Sequence, residues 1–339
     1  MAPLISVIIP NYNGAATLDQ CLTAATSLND EAMEIIVVDD CSKDRSIEII
    51  NRYPCKLIQL AQHGGASRAR NIGARYSRGD ILFFTDADCL LQKETLQQVR
   101  HSLSSADSKT IIGGTYTPLP CDKRFFSRFQ SVFIHYSETR NAREPDYVAT
   151  HALTIKADTF LESGGFDEHL LWPILEDVEF SHRLRRAGIK LVLEPAILVQ
   201  HIFNFSLLDS LRNAIRKSHY WTLYSLGNHD LFADSGTASV ELKFNVCTFF
   251  VCVWLLLMAA GGDVPALFAA TVLVSVNLYL NRKLLKAFHE ANGPLFSLGS
   301  TLYYLAVYPL PVGAGAAAGL ARFLWSGGHK GKPLRCTHH

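Results

Sequence analysis

Two aspartates, Asp86 and Asp88, flank a single alanine directly after the apolar run Ile81-Leu82-Phe83-Phe84-Thr85. Like charges that close repel unless a cation shares them, and hard divalent ions take carboxylate oxygens together with substrate phosphates. The pair therefore reads as a Mg²⁺ or Mn²⁺ site for a diphosphate, or else as a solvated acidic turn. Two further polar clusters also follow apolar runs: Pro10-Asn11-Tyr12-Asn13 and Asp39-Asp40. Arg68 and Arg70 come after Gly64-Gly65 at the start of a helical pattern, where charge and helix dipole together meet phosphate; surface solvation is the alternative use of such arginines. Glu176-Asp177 opens another helical pattern whose basic residues, Arg183, Arg185 and Arg186, lie toward its end. That arrangement suits the helix dipole, so N-terminal capping and acid-base work are both open to the pair.

The elements that must carry these residues are legible from the apolar pattern. Ile5 to Ile9, Glu34 to Val38, Lys56 to Leu60 and Asp80 to Thr85 have strand length and are rich in Val and Ile. Between them, Ala15 to Ser27, Asp44 to Arg52 and Ser67 to Ser77 show helical spacing. The β-α-β-α-β-α-β order predicts an α/β fold with a mostly parallel sheet and helices on both faces, and ligands at the carboxyl ends of the strands. All three clusters named above stand at such ends.

In order along the chain come Ser6-Val-Ile-Ile-Pro-Asn-Tyr-Asn13, Val37-Val-Asp-Asp-Cys-Ser-Lys-Asp44, Gly64-Gly-Ala-Ser-Arg-Ala-Arg-Asn71, Thr85-Asp-Ala-Asp88, Gly164-Gly-Phe-Asp-Glu168 and Glu176-Asp177. Together they resemble the family 2 glycosyltransferases, inverting enzymes of the GT-A fold, over roughly residues 4–205. The resemblance implies a nucleotide-diphospho-sugar donor, with Pro10, Tyr12, Asp39 and Asp40 cradling base and ribose and Asp40 the stronger ligand. It implies that Asp88 binds Mn²⁺ or Mg²⁺, that Asp86 bonds the ribose or completes the metal shell, and that His201 reaches the same metal. It makes Asp177 the catalytic base with Glu176 beside it, and puts Trp172 on the acceptor side. Inversion in one displacement needs such a carboxylate to take the acceptor hydroxyl's proton.

Beyond about Asn204 the composition changes. Phe244 to Gly262 and Val264 to Leu280 are nearly charge-free and read as a transmembrane hairpin turning at Gly261-Gly262-Asp263. Leu295 to Leu324 is interrupted by Pro309 and Pro311 and reads as one kinked span or a re-entrant hairpin; the basic residues Arg282, Lys283 and Lys286 before it and Arg322, Lys330, Lys332 and Arg335 after it favour re-entry. Leu207, Leu208, Leu211, Ile215 and Leu223 recur near helical spacing, giving a helix that lies on a membrane or packs on a domain. The expected organisation is a catalytic domain at 1–205, an amphipathic helix and linker at 206–240, membrane helices at 241–325 and a basic tail at 326–339. With hydrophobic residues at 48%, charged residues at 19% and a formal charge of +1, disorder is excluded and no electrostatic reason exists to expect nucleic acid as a partner.

Met1 to Asn13 has neither a basic n-region nor a small-residue cleavage site and reads as a first strand, so no cleaved signal peptide is expected. Eight scattered cysteines without a C-x-x-C pair read as buried free thiols. The functional expectation is a membrane-bound transferase that moves one sugar to a lipid or lipid-linked acceptor, at the inner (cytoplasmic) membrane and facing the cytoplasm. Lys217-Ser-His-Tyr-Trp221 lacks the arginine of the Q-x-x-R-W element that processive synthases share. Polyprenyl-phosphate sugar synthases are the nearer alternative. A nucleotidyltransferase would want a Gly-rich basic loop where Asn11-Tyr12-Asn13 stands, and a silent sugar-nucleotide-binding module would lack Asp88 or Asp177.

Overall fold

A computed structural model describes residues 3–104, 106–107, 109–170 and 174–326. Two compact units are formed: one by the chain up to Lys123 together with Glu138–Asn204, the other by Arg124–Ser137 together with the chain from Phe205 on.

In the first unit the apolar runs become β1 (Ile5–Asn11), β2 (Met33–Asp39), β3 (Lys56–Gln59) and β4 (Ile81–Phe84), with α1 (Leu18–Thr26), α2 (Ser46–Ile50) and α3 (Gly65–Arg75) between them. They are followed by β5 (Cys89–Leu91), α4 (Thr95–Ser104) and β6 (Thr110–Tyr116). After α5 (Phe125–Thr139) come a 3₁₀ turn at Thr150–Ala152, β7 (Leu153–Lys156), α6 (Ala157–Glu162), α7 (Glu176–Arg186) and β8 (Lys190–His201). The sheet has eight strands in the order β3-β2-β1-β4-β7-β6-β8-β5. β7 runs against β4 and β6, and β5 against β8, while the remaining pairings are parallel. β1, β2 and β4 are buried almost throughout, which explains why they read as continuous apolar runs, whereas the edge strand β3 is half-exposed. Strand order reverses at β1, which lies between β2 and β4, so the crevice beyond the carboxyl ends of β1 and β4 is where such a sheet holds ligands.

The second unit contains α5 up to Ser137, then α8 (Leu207–Asn228), α9 (Val240–Ala260), α10 (Val264–Leu280), α11 (Arg282–Leu302) and α12 (Pro309–Trp325). A boundary near residue 205 was expected, but Arg124–Ser137 departs from the expected 1–205 domain. The cause is aromatic: Phe129 of α5 packs at 5.4 Å from Phe288 and 4.8 Å from Tyr303, and Phe125 at 5.6 Å from Phe296. α8 is a packed helix. Gly315 and Gly319 of α12 lie so close to it that a Cβ on Gly315 would come within 2.3 Å of the Ile215 carbonyl, and one on Gly319 within 2.7 Å of the His219 carbonyl. Small residues at this spacing let two backbones approach.

The hairpin turn forms as expected, with Gly262 in the left-handed region at φ +101° and Asp263 Oδ1 accepting from the Ala266 N–H. Of the two readings of the third apolar segment, one kinked span or a re-entrant hairpin, the helix follows the first and not the favoured second. Its break lies upstream, at Asn292 and Gly293, and from there the helix runs through a π-helical turn at Tyr303–Val307 into α12 without reversing. Pro309 and Pro311 sit in the first turn of α12, where the missing N–H costs little. Val240–Ala260 and Arg282–Trp325 are long and apolar enough to cross a membrane, and only 22% and 33% of their apolar windows are buried, unlike the core helix of a soluble bundle. The basic tail residues Lys330, Lys332 and Arg335 lie outside the described residues.

Between these helices runs a buried amide chain. Asn245 Nδ2 donates to the Tyr304 carbonyl (2.8 Å), Asn277 Nδ2 to Asn245 Oδ1 (2.7 Å), Asn281 Nδ2 to Asn277 Oδ1 (2.8 Å), and the Tyr304 hydroxyl to Asn281 Oδ1 (3.0 Å). Asn245→Leu would leave the Tyr304 carbonyl and the Asn277 amide without these partners, and is expected to destabilise the unit by about 1–3 kcal/mol. Thermal unfolding in detergent reads this as a lowered midpoint; an unchanged midpoint would remove the network from the account.

Among the described residues seven cysteines are free. Cys21, Cys89 and Cys252 are buried as expected of inert thiols, whereas Cys121 and Cys247 are exposed. Cys336 lies outside the described residues.

Candidate active site

β1 ends in a loop that is tied down by its own polar side chains. Asn11 Nδ2 donates to Asp39 Oδ1 (2.8 Å) and to Ser42 Oγ (3.1 Å), and Asn13, at φ +52°, accepts the Lys43 N–H through Oδ1 (2.8 Å). Pro10 is half-buried beside it, while Tyr12 is 50% exposed and its ring lies 4.4 Å from His63. The two aspartates after β2 separate in role. Asp39 accepts from Asn11 and from the Ser42 N–H (3.0 Å). Asp40 accepts the Gly64 and Gly65 N–H groups on its two oxygens (2.8 and 2.7 Å), with His63 Nδ1 2.9 Å from Oδ2. The Asp40 carboxylate thus meets the N-terminus of α3, while Asp39 does not. Both oxygens of Asp40, the expected stronger ligand, are engaged within the chain.

The two arginines also separate. Arg68 is half-buried and folds back over Gly64. Arg70 was expected to face phosphate; it is 3% exposed and its guanidinium joins two carboxylates instead, donating through Nη2 to Asp86 Oδ1 (2.7 Å) and through Nη1 to Glu176 Oε1 (2.8 Å). Burial alone would favour its neutral form; the charges of Asp86 and Glu176 outweigh that and hold it protonated. This bridge ties the strand-end acids after β4 to the first turn of α7. α3 also secures the Gly164-Gly165 loop: Asn71 Nδ2 donates to the Phe166 carbonyl and to Glu168 Oε1, and Asn71 Oδ1 accepts the Phe166 N–H. Gly165, at φ +71°, leaves no room for a Cβ, which would stand 2.5 Å from Asn71 Oδ1.

Sheet register explains the remaining cluster. β5 pairs antiparallel with β8 so that Cys89 stands opposite His201, and the Ile202 N–H donates to the Asp88 carbonyl (2.9 Å). His201 Nε2 consequently lies 3.4 Å from Asp88 Oδ2, and its ring is stacked on Phe203 at 3.8 Å. Asp88, Cys89 and His201 each offer a ligand atom within 4.8 Å of the others. Burial and the neighbouring Asp88 and Asp86 charges push the Cys89 thiol well up, so it stays a thiol and is a poor ligand. An aspartate oxygen and an imidazole nitrogen, with Asp86 beside them, suit a hard or borderline divalent cation such as Mn²⁺ or Mg²⁺. The Asp88 carboxyl, raised first by burial and then by the Asp86 charge, is short of compensating positive charge, and a cation would supply it. Asp86 itself is already bound to Arg70 through one oxygen.

Asp177 stands in the first turn of α7, entered from Ile174 in the left-handed region at φ +76°. Burial first, and the Glu176 charge second, push its carboxyl up to about 7, against the Val178 N–H, Arg70 and His151. Trp172 lies outside the described residues. Sequence reasoning missed His151 and Glu138. His151, 6% exposed, is stacked on Tyr116 at 3.9 Å, with Nε2 3.5 Å from Glu138 Oε2, which also accepts from Thr115 Oγ1 (2.7 Å). Burial alone would lower the His151 pKa; Glu138, Asp86 and Asp177 outweigh it and raise it. No local pattern marks either residue, because a 3₁₀ turn and the end of α5 bring them together.

Family comparison gives this arrangement a name. A model described as "Glycosyl transferase family 2" matches residues 6–157. The chain carries a family 2 glycosyltransferase domain. An uncharacterized glycosyltransferase of Haemophilus influenzae is 29% identical over 206 residues, 57% of this chain and 63% of that protein. Glycosyltransferase AglE of Haloferax volcanii is 28% identical over 206 residues, covering 59% and 67%. The chain thus spans about two thirds of the length of these relatives. Among solved structures, the mannosyltransferase PcManGT of Pyrobaculum calidifontis, in complex with GDP-Man and Mn²⁺, shares the fold over 96% of this chain and 88% of that one, with a TM-score of 0.57 and 17% identity. The first unit of the chain has the GT-A fold.

Arg70 is the residue on which the geometry of the glycosyltransferase domain turns. Arg70→Met removes the cation from two part-buried carboxylates, and breaking a buried pair in this way costs about 3–5 kcal/mol. A large drop in thermal midpoint is expected; a variant with wild-type stability would show that the bridge does not hold the acids after β4 to α7.

Proposed function

We propose that the chain is an inverting, divalent-cation-dependent glycosyltransferase, membrane-bound, that moves one sugar from a nucleotide-diphospho-sugar to a lipid or lipid-linked acceptor. The observation that carries this reading is the Asp86–Arg70–Glu176 bridge, which links the acids after β4 to the acids that open α7. Asp88 and His201 would hold the cation with Asp86 beside them, and Asp39, Asp40, Pro10 and Tyr12 would border the nucleotide. When bound, the cation neutralises charge on the diphosphate leaving group.

In the proposed displacement an acceptor oxygen attacks the anomeric carbon from the face opposite the diphosphate. The carbon–oxygen bond to diphosphate breaks, and the hydroxyl proton passes to Asp177. Arg70 engages Glu176 and Asp86 in ion pairs, leaving Asp177 for that proton. Donation to a bilayer-borne acceptor is supported by the exposed apolar residues around α9 and α10, among them Trp254, Leu257 and Phe268. If α9 crosses and α10 returns, Arg282, Lys283 and Lys286 lie on the side from which α9 enters, and the positive-inside rule favours the cytoplasm for that side; the inner membrane is the one proposed.

The test is product release by the full chain in detergent with Mn²⁺ or Mg²⁺, a panel of UDP-, GDP- and dTDP-sugars including GDP-mannose, and membrane lipid extract as acceptor. One donor should be consumed well above the rest, only with metal, and the product should partition with lipid. Consumption of none of them, with the protein folded, would end the reading.

A further inference from the structure

Strand register fixes where His201 stands, but its imidazole can still turn about the side-chain bonds, and a ligand nitrogen must hold one direction to keep a cation. Neighbouring rings limit that turning. Phe203 is stacked on the His201 ring at 3.8 Å with 16° between the planes, and Tyr116 meets it edge-on at 5.0 Å and 78°. Tyr116 also meets Phe203 edge-on, at 5.6 Å. Edge-to-face pairs at such spacings are attractive, so the arrangement resists rotation of any one ring.

Tyr116 is confined in its turn. β6 pairs with β8 so that Tyr116 stands opposite Val199, two residues before His201. Its ring is stacked on His151 at 3.9 Å and 23°. His151 belongs to the 3₁₀ turn at Thr150–Ala152, which lies directly against β6: a Cβ on Gly114 would stand 2.3 Å from the Ile197 carbonyl and 2.9 Å from the Ala152 Cβ. Glu138, at the end of α5, completes the set. Its Oε2 accepts from Thr115 Oγ1 (2.7 Å), the residue before Tyr116, and lies 3.5 Å from His151 Nε2. Glu138, His151 and Tyr116 are all buried, and drawing the carboxylate and imidazole apart there would leave polar atoms without partners.

We propose that His151 and Glu138 are positioning residues for the cation site: Glu138 holds the His151 ring, that ring holds the face of Tyr116, and Tyr116 keeps the His201 imidazole turned toward Asp88. The atom so aimed is His201 Nε2, 3.4 Å from Asp88 Oδ2. The inference rests on His201 being a cation ligand, as the proposed function has it, but not on turnover or on the acceptor. Ring and charge at residue 151 act oppositely on a bound cation. The ring steadies Tyr116, whereas a positive charge there would repel the metal.

The experiment uses the full chain in detergent and Mn²⁺ alone. Affinity is read from the electron paramagnetic resonance signal of free Mn²⁺, and folding from the thermal midpoint without metal. Both members of the pair are replaced together, so that no carboxylate is left unpaired and the variants compared carry equal charge. His151→Phe with Glu138→Gln keeps a ring on Tyr116 and should bind Mn²⁺ within about threefold of the unsubstituted chain. His151→Leu with Glu138→Gln keeps apolar volume without a ring and should bind about tenfold more weakly, as loss of an outer-shell support does. Should the leucine variant fail to fold, Tyr116→Leu with the native pair takes its place, with the same loss expected. Equal affinities in the phenylalanine and leucine variants would leave the pair a structural role only and overturn the proposal. Tighter binding in both would leave it a purely electrostatic one and overturn it too, as would an unchanged affinity in Tyr116→Leu. His201→Ala separates this inference from the reading it rests on. No Mn²⁺ binding by the unsubstituted chain, or binding that His201→Ala does not weaken, would sink the ligand assignment and this inference with it. Weaker binding in His201→Ala without a difference between the pair variants would sink this inference alone.

Discussion

Replacing Asp177 with asparagine is expected to lower kcat by about 10²–10⁴-fold, the usual worth of a positioned general base, while the affinity for the donor changes less than threefold. The two carboxylate functions act on different atoms. In the proposed reaction the acids after β4 would lie on the diphosphate side, and the Asp177 side chain, in the first turn of α7, on the acceptor side. Asparagine keeps the shape and its Oδ1 can still accept the Val178 N–H, which the native side chain does at 2.8 Å. Isothermal titration with the donor and single-turnover rates separate binding from chemistry. Wild-type turnover in this variant would remove Asp177 from the role of base.

The same residue predicts a pH dependence. Burial and the Glu176 charge push its carboxyl up to about 7, so if Asp177 is the base it is protonated and idle below that pH and ionised above it. Turnover at saturating donor and cation should rise with pH through about 7 and then level off. Saturating metal is needed because Asp88, raised by burial and by Asp86, would otherwise compete for protons in the same range. In Asp177→Asn the residual rate should lose this rise; a profile unchanged by the substitution would assign the titration elsewhere.

The parallel half of the sheet was legible because β1, β2 and β4 are buried almost throughout, and continuous apolar runs of strand length have few other uses. Ile5 to Ile9 and Glu34 to Val38 fall inside β1 and β2, and the strand-end rule led directly to Asp39, Asp40, Asp86 and Asp88. Side-chain partners were not legible. Arg70 carries the same charge whether it meets phosphate or carboxylate, and only the approach of α7 to α3 distinguishes the two. Asp40 meets the N-terminus of α3 through Gly64 and Gly65, a contact between residues more than twenty apart that no local pattern announces. α5 was hidden for a related reason. Phe125, Phe129 and Phe133 make an ordinary helical stripe, and nothing local tells whether it faces a sheet or the aromatic residues of α11 and the π-helical turn. The prolines at 309 and 311 misled because a helix-breaking residue is harmless in a first turn, whereas Gly293, at φ +80°, does break the helix.

Replacing Asp88 with alanine is expected to abolish metal-dependent donor binding, with an affinity loss of 10²-fold or more in Mn²⁺ and little change without it. The reasoning starts from register. Because Cys89 pairs with His201 across β5 and β8, the imidazole is delivered to Asp88 by main-chain hydrogen bonds rather than by a flexible loop, so the metal candidates are preorganised. Removing the carboxylate leaves His201 held in place but without the oxygen that makes the set attractive to a hard cation, since Asp86 is shared with Arg70. His201→Ala should cost less, about 10–100-fold, because one neutral ligand is lost and the acids remain. Calorimetry of donor binding with and without Mn²⁺, run on both variants, reads the order directly. Equal losses in the presence and absence of metal would mean that Asp88 contacts the nucleotide itself, and a larger loss for His201→Ala would mean that imidazole, and not carboxylate, governs the choice of cation.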